Sequence, residues 1–118
     1  MLKEKFIIAV SDDNDAVMYP LSRMLSMHHV SDDTIIMYFD PGISDAGTGA
    51  DAEADLITLT VPDETERAVT LAILDAINLD YGAYLTKQKG YVIVKDDVDA
   101  TNDMVSGITS CTITRGAV

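Results

Sequence analysis

This chain has one cysteine, no tryptophan, three prolines and only eight lysines and arginines against twenty aspartates and glutamates. Each shortage excludes something. A lone Cys111 cannot close a disulfide within the chain. Thr109, Ser110, Thr112 and Thr114 around it read as strand residues with no basic neighbour, so the expectation is a buried, inert thiol. The shortage of cations excludes the clustered Lys and Arg that phosphate binding needs, which argues against nucleic acid and against anionic membrane surfaces. No apolar run approaches the ~20 residues that span a bilayer. The segment Met1–Phe6 (MLKEKF) has charge but no long apolar stretch and no small-residue cleavage site, so it does not read as a secretory signal. The expectation is a protein made in a cytoplasm that stays there or is packaged from it.

What is present is acid and apolar material. The formal net charge is −12 over 118 residues, and 47% of the residues are hydrophobic. That length is the usual size of one domain, and the apolar share is enough for a core without disulfides or a metal. Residues 1–118 therefore read as a single domain. Most of the acids are aspartates, in groups such as Asp12-Asp13-Asn14-Asp15, Asp32-Asp33, Asp63 and Asp96-Asp97. Aspartate competes for backbone hydrogen bonds and suits turns and helix starts. The acid marks chain reversals.

Lys5–Val10 (KFIIAV) reads as a first strand, followed by a turn over Ser11–Asp15. Ala16–Leu25 is mixed, and Pro20 suggests an edge, a bend or a short helical turn there. Ser26–Val30 and Thr34–Phe39 flank Ser31-Asp32-Asp33 as a hairpin. Asp40–Ala54 is poor in apolar residues and rich in glycine and acid, and reads as a long surface loop. Leu56, Thr58 and Thr60 alternate with Ile57, Leu59 and Val61, which is a strand. Asp63 and Glu66 fit a capping box. Val69, Ala72, Ile73, Ala76, Ile77 and Tyr81 then follow at helical spacing, with Leu71 and Leu74 widening the apolar face and Gly82 as the stop. Strands at Tyr91–Lys95 and Ile108–Thr114 flank an acidic turn. The fold class is α+β, a mainly antiparallel sheet of about five to six strands with one helix (about 63–80) packed on one face.

No constellation for chemistry emerges from spacing. His28 and His29 are adjacent on a strand, so they point to opposite faces and cannot chelate one ion together. Asp51, Glu53 and Asp55 alternate and could line one side of an extended segment toward a hard cation. The EF-hand pattern fails, because position six is Leu56 and position twelve is Pro62, and a solvated loop is the default. Gly47-Thr48-Gly49 has no phosphate-loop lysine after it, and no Gly-x-Ser-x-Gly elbow occurs. The expectation is no enzyme, no catalytic residue, no metal and no cofactor. Exposed strand edges invite pairing and methionine adapts to partners. The interface candidates are therefore Tyr19, Arg23, Met24 and Met27 on the Ala16–Leu25 side, and Cys111 and Ile113 on the last strand. Arg23 is the candidate for an interface salt bridge.

Several stretches in order resemble a family of small structural proteins of marine tailed bacteriophages. They are KFIIAV, Tyr19-Pro20-Leu21-Ser22-Arg23, the hairpin ending in TIIMYF, the strand DLITLTV, the single helix ETERAVTLAILDAIN and the closing ITSCTI. The resemblance is one of layout and covers nearly the whole chain. It implies a virion component, a capsid decoration or cement protein that docks on the major capsid protein or other virion proteins and on neighbouring copies as a homo-oligomer. Two other readings remain open from the residues. One is a small ligand-binding or enzymatic domain with a site formed between subunits, and the other is an acidic protein-binding regulator.

Overall fold

Alternating and β-branched apolar runs become strands, and the one stretch with helical periodicity becomes the helix. In a computed structural model of the chain, the described residues are 5–40, 54–82 and 90–115. Among them the order is β1 (Phe6–Asp12), β2 (Asp15–Pro20), β3 (Met24–Ser31), β4 (Thr34–Phe39), β5 (Asp55–Thr60), α1 (Glu66–Gly82), β6 (Tyr91–Asp96) and β7 (Ser110–Thr114). The α+β class with one helix against mainly antiparallel strands holds. The strands divide between two sheets, ordered β2-β1-β6 and β3-β4-β5-β7. Pro20 is the reason for the break. It has no N–H to donate, ends the edge strand β2, and leads into a short 3-10 turn at Leu21–Arg23 that carries the chain out of the first sheet. The β1–β6 pair is parallel, which requires a long crossover, and the second sheet's β3, β4 and β5 together with α1 lie within it.

The helix start differs in detail from the capping box expected at Asp63. The first helical hydrogen bond runs from Val69 N–H to Thr65 O at 3.0 Å, so Thr65 holds the N-cap position. Ahead of it, the turn Pro62–Thr65 is closed by Thr65 N–H on Pro62 O at 3.1 Å, with Glu64 in the left-handed region at φ 63°. Glu64 N–H also donates to Asp32 O at 3.0 Å, and Val61 N–H to Asp33 O at 2.9 Å. These bonds tie the turn to the β3–β4 hairpin and hold a backbone conformation that costs roughly 1–2 kcal/mol for a side chain with a Cβ.

Val69, Ile73 and Ile77 are buried and Ala72 and Ala76 pack against the core, as the periodicity indicates. Leu71 and Leu74 do not widen this face: they are 52% and 40% exposed, because their positions lie round the helix from Ile73. The Tyr81 side chain lies outside the described residues. The core is one cluster drawn from both sheets and the helix, with Ile7, Ile35, Met37, Phe39, Ile57, Leu59 and Ile73 fully enclosed. Gly107 has φ 94°, and a Cβ there would sit 3.1 Å from a Val69 methyl, so a glycine lets the chain before β7 lie close on α1.

Candidate functional site

The aspartates work where the sequence puts them. Asp12 accepts from Asn14 N–H at 2.8 Å in the β1–β2 turn. Asp33 accepts from the hydroxyls of Ser31 and Thr34 at 2.9 and 3.0 Å, and these bonds hold its carboxyl below the usual range. Asp96 accepts from Asn102 Nδ2 at 2.9 Å and from Val98 and Asp99 N–H at 2.9 and 3.0 Å, which lowers its pKa likewise. Asp103 receives Lys95 Nζ at 2.9 Å and Asp96 N–H at 2.7 Å. The Asp103 bond raises the Lys95 pKa against the pull of burial. Asp15 is held low first by Arg115, 2.7 Å away, and then by Ser11.

The two sheets are joined by side chains taken from the candidate interface set. Tyr19 stacks on Phe39 with ring centroids 4.5 Å apart, and its O–H donates to Asp55 Oδ2 at 2.7 Å. Burial, then that bond, pushes the phenol pKa up. Cys111 is buried between the sheets: its Sγ–H donates to Val10 O at 3.3 Å, and its N–H to Asp97 Oδ2 at 3.0 Å. Burial, with Asp97 nearby, raises the thiol pKa to about 12. Ile113 lies in the same core. Tyr19, Cys111 and Ile113 therefore face inward and cannot present side chains to a neighbour, although β2 and β7 are sheet edges. Met24 and Met27 are half-buried and pack against the core from the edge strand β3. Arg23 is half-buried, and its carbonyl receives Asp40 N–H at 2.9 Å.

His28 and His29 sit side by side on β3, opposite Ile36 and Ile35 respectively. Both are exposed, and His28 stacks on Tyr38 at 5.1 Å. Among the described residues no group of three or more His, Cys, Asp or Glu is placed to hold a metal ion. Asp51 and Glu53 lie outside the described residues, as does the loop over 41–53. Asp55 belongs to β5 and serves Tyr19.

The open surface that matters is one the sequence reading missed. In the first sheet Ile7, Ala9, Tyr19 and Val92 point into the core. The opposite side is set by register: Phe6 lies between Pro20 and Tyr91, Ile8 between Met18 and Ile93, and Val10 between Ala16 and Asp96. Apart from Asp96, whose carboxylate is taken up by Asn102 and by the Val98 and Asp99 N–H groups, these residues are uncharged and nearly all are apolar. Met18 is 59% exposed, and Phe6, Ile8 and Ile93 are half-buried without belonging to the core or packing against it. Among the described residues the outer face of the second sheet has no Asp, Glu, Lys or Arg, with His28 beside Ile36. Its register sets Thr34 beside Thr60, and Ile36 beside Thr58 and then Thr112. Leu56 stands between Tyr38 and Thr114. Leu25 and Val30 fall at the two register irregularities of β3 and are 63% and 57% exposed. The signal in the sequence was β1 itself, apolar at every position from Phe6 to Val10 rather than at alternate ones, which is the pattern of a strand covered on both sides.

A shallow groove of about 290 Å³ runs between α1 and the first sheet, lined by Ala72, Asp75 and Ala76 on one side and Tyr91, Met104 and Val105 on the other. It is at the small end for a ligand site. Among the described residues no helix is long and apolar enough to cross a membrane. Comparison with protein-family models, curated proteins and solved structures finds no match for this chain.

Proposed function

We propose that this chain is a structural protein that works in many copies and does no chemistry, docking on a larger assembly through its sheet faces. The observation that carries the reading is the distribution of charge. In a chain of net charge −12, the described residues of the second sheet's outer face include no Asp, Glu, Lys or Arg, that of the first sheet has only Asp96 at one end, opposite Val10, and most of the other acids sit in the turns around them. Solvated sheet faces ordinarily alternate apolar-in with polar-out, and an apolar patch rimmed by charge is the ordinary anatomy of a protein contact. The shifted groups support the same reading. Tyr19 and Lys95 are tied to partners that join structural elements, and the Cys111 thiol, raised to about 12, stays protonated at neutral pH.

The layout resemblance names the assembly: the head of a tailed phage, with this protein as a decoration or cement protein on the major capsid protein. Quantitative mass spectrometry of purified particles is the test. High copy number is the expected result, and absence from particles, or a turnover measured on any metabolite, would remove the reading. The groove at Ala72, Tyr91 and Met104 favours the second reading, a small-ligand site. A thermal-shift screen in which a metabolite raises the melting temperature, and Met104→Lys abolishes that rise, would favour it over the first.

A further inference from the structure

We infer that the outer edge of β3 is a contact between copies: the β3 strands of two chains pair side by side, antiparallel, about a twofold axis, and join their second sheets into one. The inference rests on the multi-copy reading above and names the surface and the partner. Of the strands that border the two sheets, β2, β6 and β7 are covered by the chain's own atoms. Along β6, Met104 N–H donates to Ile93 O at 2.9 Å and Asp96 N–H to Asp103 Oδ1 at 2.7 Å. Along β7, Cys111 N–H is taken by Asp97. On β2, Pro20 has no N–H to offer, and Ala16 O receives Arg115 Nη2 at 3.4 Å. β3 differs: from Leu25 to Ser31 no backbone group bonds to a described residue outside the pairing with β4. Six of its eight residues are exposed. A row of open N–H and C=O groups fits one kind of occupant, another extended strand.

The strand's own layout makes that occupant a second β3. Met24–Ser31 has no Asp, Glu, Lys or Arg in a chain of net charge −12, so two copies can meet along it without opposing carboxylates. Leu25 is one residue in from one end and Val30 one residue in from the other, and they are 63% and 57% exposed. Antiparallel pairing about a twofold is isologous, so it brings each Leu25 within a residue of the other copy's Val30 and covers both. The ends fix the direction. Asp32 and Asp33 follow the strand, and the described charges before it are Arg23 and, bonded to the Arg23 carbonyl, Asp40, which balance. Parallel pairing would set the two Asp32-Asp33 turns together, whereas antiparallel pairing sets each against a balanced end and needs no ion pair from Arg23.

The register irregularities at Leu25 and Val30 leave Ser26–His29 as the regular stretch. Bulges blunt an edge, and so short a contact is well below the ~800 Å² that each side of a standard stable complex contributes. The pair should therefore dissociate in about the micromolar range or weaker, and hold firmly only where many copies are anchored together.

The test is sedimentation velocity on the whole chain from about 1 to 500 μM, a range that brackets such a constant. The double variant Leu25→Ser with Val30→Ser strips the exposed apolar groups from β3, and Leu71→Ser with Leu74→Ser makes the same change on the exposed side of α1. Both leave the net charge unchanged. Expected are a reversible dimer for wild type and for the helix variant, and dimerisation weaker by about tenfold or more for the β3 variant. A second measurement locates the axis. A twofold normal to the sheet sets a residue at mid-strand against its own copy, about 4.5–5.5 Å apart and within disulfide reach. Either Met27→Cys or His28→Cys should therefore cross-link under a mild oxidant while Leu71→Cys does not, the native Cys111 being buried. A wild type that stays monomeric throughout, including one that associates only when a capsid protein is added, overturns the inference. So does dimerisation that the β3 variant leaves unchanged, or cross-linking by neither mid-strand cysteine, and in those cases the multi-copy reading stands. Absence from particles would remove the multi-copy reading while a solution dimer persisted.

Discussion

Ile73 tests how the helix is seated. Its side chain is fully buried at the centre of α1, whereas Leu71, two residues earlier, is 52% exposed. Ile73→Ala removes buried methyl and methylene groups and leaves a cavity, which costs about 2–5 kcal/mol. Unfolding entropy of ~2.1 cal/mol/K per residue near 60 °C gives about 0.25 kcal/mol/K for a chain of this length. A central loss of ~3.5 kcal/mol thus lowers the melting temperature by about 14 °C. Leu71→Ala should cost well under ~1 kcal/mol, or no more than about 4 °C, because half of the side chain is already in water. Ile73→Asp should cost more than Ile73→Ala, since it buries an unpaired charge. Thermal melts and urea titrations with unchanged m-values would read the series. Equal shifts for Ile73→Ala and Leu71→Ala would refute the seating of α1 on the two sheets.

Three further outcomes are expected. Cys111 should resist maleimide in the native protein at pH 8 and label fully in denaturant, and rapid native labelling would contradict its burial and its pKa of about 12. Glu64→Gly should leave stability unchanged or raise it by up to ~1 kcal/mol, because glycine relieves a side chain from φ 63°, whereas Glu64→Val should lower it. A calorimetric loss for the glycine variant would count against that turn. Asp96 has its pKa lowered by Asn102 and the backbone donors, so its contribution is fully present above the ordinary aspartate value and is lost as pH falls through the depressed one. Asp96→Asn should therefore melt lower than wild type at pH 7, with the gap closing as the solution is taken well below pH 3.8, and a gap independent of pH would oppose the assignment.

Local pattern carried much of this protein. The alternation of residues 55–61 named the buried set Ile57, Leu59 and Val61, and the helical spacing of Val69, Ile73 and Ile77 named the inward face of α1, because both periods are properties of a single segment. The aspartates marked turns because their hydrogen bonds close over a few residues. Wherever two distant segments had to meet, the pattern was silent. Asp63 looked like the cap, but Glu64 and Val61 are bonded to the Asp32-Asp33 hairpin, and the resulting turn moves the cap to Thr65. Tyr19, Cys111 and Ile113 looked like edge residues, yet Phe39, Val10 and Asp55 come from elsewhere in the chain to enclose them. The split into two sheets and the parallel β1–β6 pair depend on contacts more than eighty residues apart, such as Phe6 with Tyr91. An apolar run such as Phe6–Val10 says that both of its sides avoid water. Only the tertiary structure decides that Ile7 and Ala9 meet the core, while Phe6 and Ile8 face outward, where a partner can cover them.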